Sequence, residues 1–149
     1  MRAVIQRVLE ASVDVDHDNV SRTGGGLLVL AGFHRDDTEE DIEYIINKIL
    51  GLRIFDDERG IMNLSVTDVG GEVMLVSQFT LYGDVRKGKR PSYSSAMQPE
   101  NASEFFHTFV DTFRTRYDRV QEGVFGADMR VSLVNSGPVT ILIDSTKLF

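Results

Sequence analysis

The chain contains no cysteine, which removes disulfides, thiolate metal sites and cysteine nucleophiles from consideration. Histidine is scarce. His17 and His34 lie in acidic polar stretches and His107 sits off the apolar side of a helix, and none has a companion at ligand spacing. Neither a metal site nor a Ser-His-Asp triad is written here, so no metal and no cofactor are expected. No run approaches the ~20 apolar residues that a membrane span needs. An alternating pattern starts directly after Met1-Arg2-Ala3, with no signal peptide expected ahead of it. Two Asn-x-Ser sequons, at Asn63 and Asn101, therefore carry little weight. These features describe a soluble, cytoplasmic protein with no membrane partner.

Phosphate-binding glycine patterns are missing too. Gly24-Gly25-Gly26 and Gly70-Gly71 lack the following Lys-Ser/Thr of a phosphate loop and the spacing of a dinucleotide fingerprint, and they read as turns. Asp14 to Asp18 begins like a calcium loop, but Asn19 stands where that loop needs glycine and Gly25 where it needs glutamate. Positive charge is in short supply. With 16 Lys and Arg against 23 Asp and Glu, the net charge is −7, which argues against a grip on a long stretch of phosphates.

What remains is one domain spanning 1–149, 42% apolar and 26% charged, long enough to bury its own core. Residues 3 to 15 read as a strand whose inward face carries Ala3, Ile5, Arg7, Leu9, Ala11, Val13 and Val15. Arg7 is the odd member. It either snorkels to water or pairs at a site, because an unpaired buried charge is costly. Turn residues at His17-Asp18-Asn19 and the apolar run Leu27 to Ala31 extend this into hairpins. Thr38 caps a first helix, with Asp41 three residues on and the stripe Ile42, Ile45, Ile46 and Ile49, ending at Gly51. Strands are expected at 52–55 and 72–81, with Val73 to Val76 apolar on both faces as in a central strand. A second helix follows near Pro99 to Asn101, with an aromatic stripe that reads as core, and strands at about 129–135 and 139–144 close the chain. The fold class is α+β: mainly antiparallel sheet, barrel-like or two-sheet, with two principal helices and no regular strand-helix alternation.

Two segments break these patterns. At Ser77-Gln78-Phe79-Thr80-Leu81 a buried strand turns polar, which is either an ordinary strand edge or a place where hydroxyls and backbone N–H groups meet a ligand. Asn135-Ser136-Gly137-Pro138-Val139-Thr140 interrupts the last two strands, and by itself it reads as a tight turn. Ser-Gln-x-x-Leu followed some sixty residues later by Asn-x-Gly-Pro-x-Thr resembles the paired signature of the D-aminoacyl-tRNA deacylase family. The resemblance runs through Ile5-Gln6-Arg7-Val8, Arg53-Ile54-Phe55, Met62-Asn63-Leu64, Arg90-Pro91-Ser92 and Ala127-Asp128-Met129, and leaves only Ser145 to Phe149 unmatched.

The resemblance implies hydrolysis of the ester between a D-amino acid, or mischarged glycine, and the terminal adenosine of a tRNA. It also implies a homodimer in which the cis Gly137-Pro138 segment of one subunit enters the pocket of the other and excludes L side chains. Ser77, Gln78, Phe79 and Thr80 would line the catalytic half, with the Phe79 N–H facing the ester carbonyl. Thr80 is a possible nucleophile, but no base neighbours it in sequence. The resemblance also implies that the 2′-hydroxyl of the terminal adenosine helps to activate water, and the missing histidine and metal agree with that, so substrate-assisted hydrolysis ranks first. Asn135 and Thr140 flank the selective turn, Arg7 would brace it, and Phe125 and Met129 would pack on the adenine. Arg86, Lys87, Lys89 and Arg90 supply a local basic patch that could meet acceptor-end phosphates in an otherwise acidic protein. Two rival readings stand beside this: a hydrolase of small esters using Thr80, and a non-catalytic module that binds tRNA ends.

Overall fold

A computed structural model describes all residues 1–149. β1 (Arg2–Val15) runs into β2 (Asp18–Thr23) through a turn at Asp16 and His17, both with positive φ. β3 (Gly26–Gly32) leads into α1 (Glu39–Gly51), followed by the short hairpin β4 (Phe55–Asp56) and β5 (Met62–Leu64). β6 (Glu72–Ser77) ends in a single 3-10 turn, Phe79–Tyr82. α2 (Pro99–Arg116), β7 (Val120–Glu122) and the long β8 (Met129–Asp144) complete the chain.

The first strand organises the sheet. β1 pairs antiparallel with β3 and β2 along one edge and with β8 along the other. The sheet continues from β3 to β6 to β7, both pairings parallel. α1 bridges β3 to β6 and α2 bridges β6 to β7, as parallel neighbours require. Antiparallel pairing predominates, as expected. The two crossover units were hidden in the sequence because the β4–β5 hairpin and the 3-10 turn interrupt the alternation. β2 also packs against β6 and β7, so the sheet curls toward a barrel.

This curl gives the central strands two buried faces. Val29, Ala31, Val73 and Leu75 pack with Ile45, Ile49, Phe106 and Phe109 of the helices. Leu28, Met74 and Val76 join Val8, Ala11 and Val13 inside the curl. β3 and β6 approach so closely that a Cβ on Gly26 would lie 1.9 Å from the Glu72 carbonyl oxygen, so only glycine fits there. At α1, Thr38 and Asp41 form the expected capping box, which supplies acceptors to otherwise unpaired N–H groups.

Several expected boundaries differ. Of 52–55, only Phe55 is in a strand. Leu9, expected to face inward, is 62% exposed, because an irregularity between Val8 and Glu10 puts Val8 inside instead. The two closing strands are one strand, β8, whose partner β1 runs past the Gly-Pro segment without a break.

Candidate active site

Beyond Ser77 the chain leaves the sheet. The Gln78 N–H still donates to the Ala31 carbonyl at 2.7 Å, and the Leu81 N–H then turns back to the Gln78 carbonyl. That 3-10 turn buries Tyr82 and leaves Phe79 57% exposed. It places the Phe79 and Thr80 N–H groups at the head of the turn, where leading N–H groups have no acceptor within it. The Thr80 hydroxyl is exposed and accepts a hydrogen bond from the Gln78 side-chain amide at 2.5 Å. No carboxylate or histidine bonds to it, and no cluster of His, Asp and Glu in the chain is arranged to hold a metal.

The strand end opens on a cleft of about 540 Å³ between the sheet and the start of α2. Ser77, Gln78 and Phe79 line it, as do Phe125 and Met129 from the segment that enters β8. Phe125 leans on Phe106 with ring centroids 6.0 Å apart, which fixes one apolar wall. Five of the expected site residues are thereby brought together, from segments some fifty positions apart. Tyr93, Met97 and Ala127 also line the cleft and carried no site assignment from sequence. Their only signal was proximity to the Arg90-Pro91-Ser92 and Ala127-Asp128-Met129 matches.

The other half of the expected site lies elsewhere in the chain. None of Arg7, Asn135, Gly137, Pro138 or Thr140 lines the cleft. On β8, residues 136–139 form an excursion, because Asn135 pairs with Val8 and Thr140 with Gln6, leaving Arg7 alone opposite four residues. The Gly137–Pro138 bond is cis and Gly137 has φ of +128°, a left-handed backbone that favours glycine. Both residues are exposed. Asn135 holds the excursion's mouth: its amide donates to Gln6 Oε1 at 2.7 Å and to Thr140 Oγ1 at 3.2 Å, while its oxygen accepts the Val139 N–H at 2.8 Å.

Arg7 resolves the puzzle of its inward position. Its side chain is only 12% exposed. Its Nε donates to the Ser136 carbonyl at 3.0 Å and its Nη1 to the Ile54 carbonyl at 2.7 Å, with Asp56 at 3.4 Å. The guanidinium is thus partnered, as burial demands, and it props the Gly-Pro excursion of its own chain from beneath.

The basic loop rises from the far side of the 3-10 turn. Asp84 and Ser92 exchange backbone hydrogen bonds of 2.8 and 2.9 Å at its base. Arg86 grips Asp84 and holds that carboxyl well below the usual carboxylate range. Lys87, Lys89 and Arg90 are exposed, and none of the chain's ion pairs involves them.

The family model described as D-Tyr-tRNA(Tyr) deacylase matches residues 4–144. The chain belongs to this deacylase family. Proteins named D-aminoacyl-tRNA deacylase are similar over the full length of both chains: 57% identical in Desulfitobacterium hafniense, 54% in Thermosipho melanesiensis and 55% in Thermotoga petrophila. Among solved structures, one described as c-Myc DNA Unwinding Element Binding Protein superposes with a TM-score of 0.93 at 42% identity, covering 97% of this chain and 98% of that one. A second, described as a probable eukaryotic D-amino acid tRNA deacylase, shares the fold at a TM-score of 0.76 and 21% identity, covering 95% of this chain and 97% of that one. The deacylase family's match stops at Asp144, close to the end of the segment-by-segment resemblance.

Proposed function

We propose that this protein hydrolyses the ester joining a D-amino acid, or mischarged glycine, to the 3′ end of tRNA, and that each active site is completed by a second copy of the chain. The observation that carries the reading is the full-length identity of more than half to proteins named D-aminoacyl-tRNA deacylase. The cleft supports it: one wall is made by Ser77, Gln78 and Phe79, with Thr80 next in the chain, and the other offers the apolar Phe125 and Met129. In this arrangement the terminal adenine packs against Phe125 and Met129. The ester carbonyl meets the Phe79 N–H, which stabilises the negative charge that develops as water attacks.

With no base beside Thr80, the water is activated by the substrate's own 2′-hydroxyl, and Thr80 and Gln78 serve to position it. Gly137 and Pro138 select the substrate. Propped by Arg7 and exposed, this backbone excursion fits the cleft of a second copy, where its carbonyls would hold the substrate's amino group and its bulk would meet an L side chain. A dimer is supported by the surface around it. Leu9 of β1 and Val134 and Leu142 of β8 are large apolar residues left exposed on the two longest strands. The basic loop neutralises acceptor-end phosphates while the rest of the surface stays acidic, which disfavours a grip on duplex nucleic acid.

Incubation with D-tyrosyl- and L-tyrosyl-tRNA tests the reading. The D-ester is expected to disappear and the L-ester to persist. Equal survival of both would rule out deacylation and favour a tRNA-end-binding module; equal cleavage would rule out the chiral wedge.

A further inference from the structure

Two large aromatic rings stand exposed at the rim of the cleft and take no part in the core. Phe79 is 57% exposed and Tyr93 is 38% exposed. They meet with centroids 5.0 Å apart and planes inclined at 66°, so they brace one another without stacking. Tyr93 is also held from behind: its Cε1 lies 3.1 Å from where a Cβ on Gly83 would stand, tighter than an ordinary contact, so glycine there lets the ring lie against the backbone. The backbone pairing of Asp84 with Ser92 fixes the base of the loop that ends beside this ring. The same short loop carries the exposed charges of Lys87, Lys89 and Arg90. A rigid aromatic face on a cleft rim, with unpaired cations a few residues away on a pinned loop, combines the two elements by which proteins hold single-stranded nucleic acid: stacking for a base and charge for its phosphate.

Building on the deacylase reading, we infer that Tyr93 is a stacking platform for the nucleobase preceding the terminal adenosine, with the 86–90 loop taking the phosphates on its 5′ side. In the deacylase reading the cleft of about 540 Å³ takes the adenosine and the amino acid. The strand leaving it must cross the rim, where the half-exposed Tyr93 lines the cleft three residues after Arg90 of the cationic loop. Stacking makes this contact tolerant of base identity, because every base offers a π-face. It would add affinity common to all tRNAs, and leave chirality to the Gly-Pro segment.

The test compares two forms of D-tyrosyl-tRNA, carrying either cytidine or an abasic ribose immediately before the terminal adenosine. For the unaltered protein, kcat/KM is expected to be about tenfold higher with cytidine, a typical contribution of one stacked base. In Tyr93→Ala that ratio should fall to near one, while Tyr93→Phe, which keeps the ring, should retain it. A ratio near one for the unaltered protein overturns the inference without any variant needing to fold. So does a ratio that survives intact in Tyr93→Ala. Failure to hydrolyse even the cytidine-bearing D-ester would instead bring down the deacylase reading itself, which the D- and L-tyrosyl comparison reports separately.

Discussion

Thr80 and Arg7 carry opposite expectations from similar local evidence, a polar side chain held by a short hydrogen bond. Thr80 has a single partner, the Gln78 amide, and no group able to take its proton. Thr80→Ala is therefore expected to keep kcat on D-tyrosyl-tRNA within about tenfold of the parent, whereas removing a true nucleophile costs several orders of magnitude. Single-turnover hydrolysis distinguishes the two, and a collapse of kcat with tRNA binding intact would make Thr80 the nucleophile. Arg7 behaves differently because its guanidinium spans two carbonyls on different segments, Ile54 and Ser136. Arg7→Ala leaves both without this donor, and a loss of about 1–3 kcal/mol is expected in urea unfolding. Arg7→Lys should not restore it, since one ammonium cannot reproduce the planar fork. Both variants should also cleave L-tyrosyl-tRNA measurably, because the excursion loses its prop. Arg7 was conspicuous in the sequence as a charge on an apolar face, but its partners were not, because they lie 47 and 129 positions away.

The elements were legible where one rule dominated. Both helices announced themselves through apolar stripes, and α1 through its capping box. β6 was expected to reach residue 81 but ends at Ser77, where the change to polar residues marks a backbone turn after which only Tyr82 goes inside. The Gly-Pro segment suggested two strands, yet β1 carries the ladder past a four-residue excursion of β8 that only Arg7 faces. That ladder is tied at its far end, where Arg2 and Asp144 are register partners and Arg2 Nε donates to Asp144 Oδ2 at 2.9 Å. Burial opposes ionisation of Asp144, but hydrogen bonds from Thr146 and Arg2 outweigh it and hold the carboxyl below its ordinary value. A lowered folded-state value means that this stabilisation is complete above the unfolded carboxylate range and is lost as pH falls through the folded value. Asp144→Asn should thus cost about 1–3 kcal/mol at pH 7. The gap to the parent should close as pH falls below the ordinary carboxylate value, as followed by urea midpoints at each pH.

At the scale of the molecule, the five cleft residues and the five residues around the Gly-Pro turn lie in separate places on one chain. Sequence could pair the two segments only through family resemblance, because no local pattern encodes how distant segments are brought together. Mixing two inactive variants tests that contact. Gly137→Val should abolish activity by displacing the carbonyls proposed to hold the substrate's amino group, and Ala127→Trp by filling the cleft. Random reassociation puts half the chains in mixed dimers with one good site of two, so about a quarter of the parent activity should return. No recovery after mixing would place the whole site within one chain.

The excursion opposite Arg7 has its two ends pinned by the pairings of Asn135 with Val8 and of Thr140 with Gln6. The exposed pair Gly137-Pro138 therefore lies outside the pairing that aligns the fourteen-residue strand β1. If the proposed selectivity holds, it resides in an exposed Gly-Pro pair set on a strand whose register is fixed on either side, so the preference for one handedness of amino acid can be re-engineered independently of the fold that presents it.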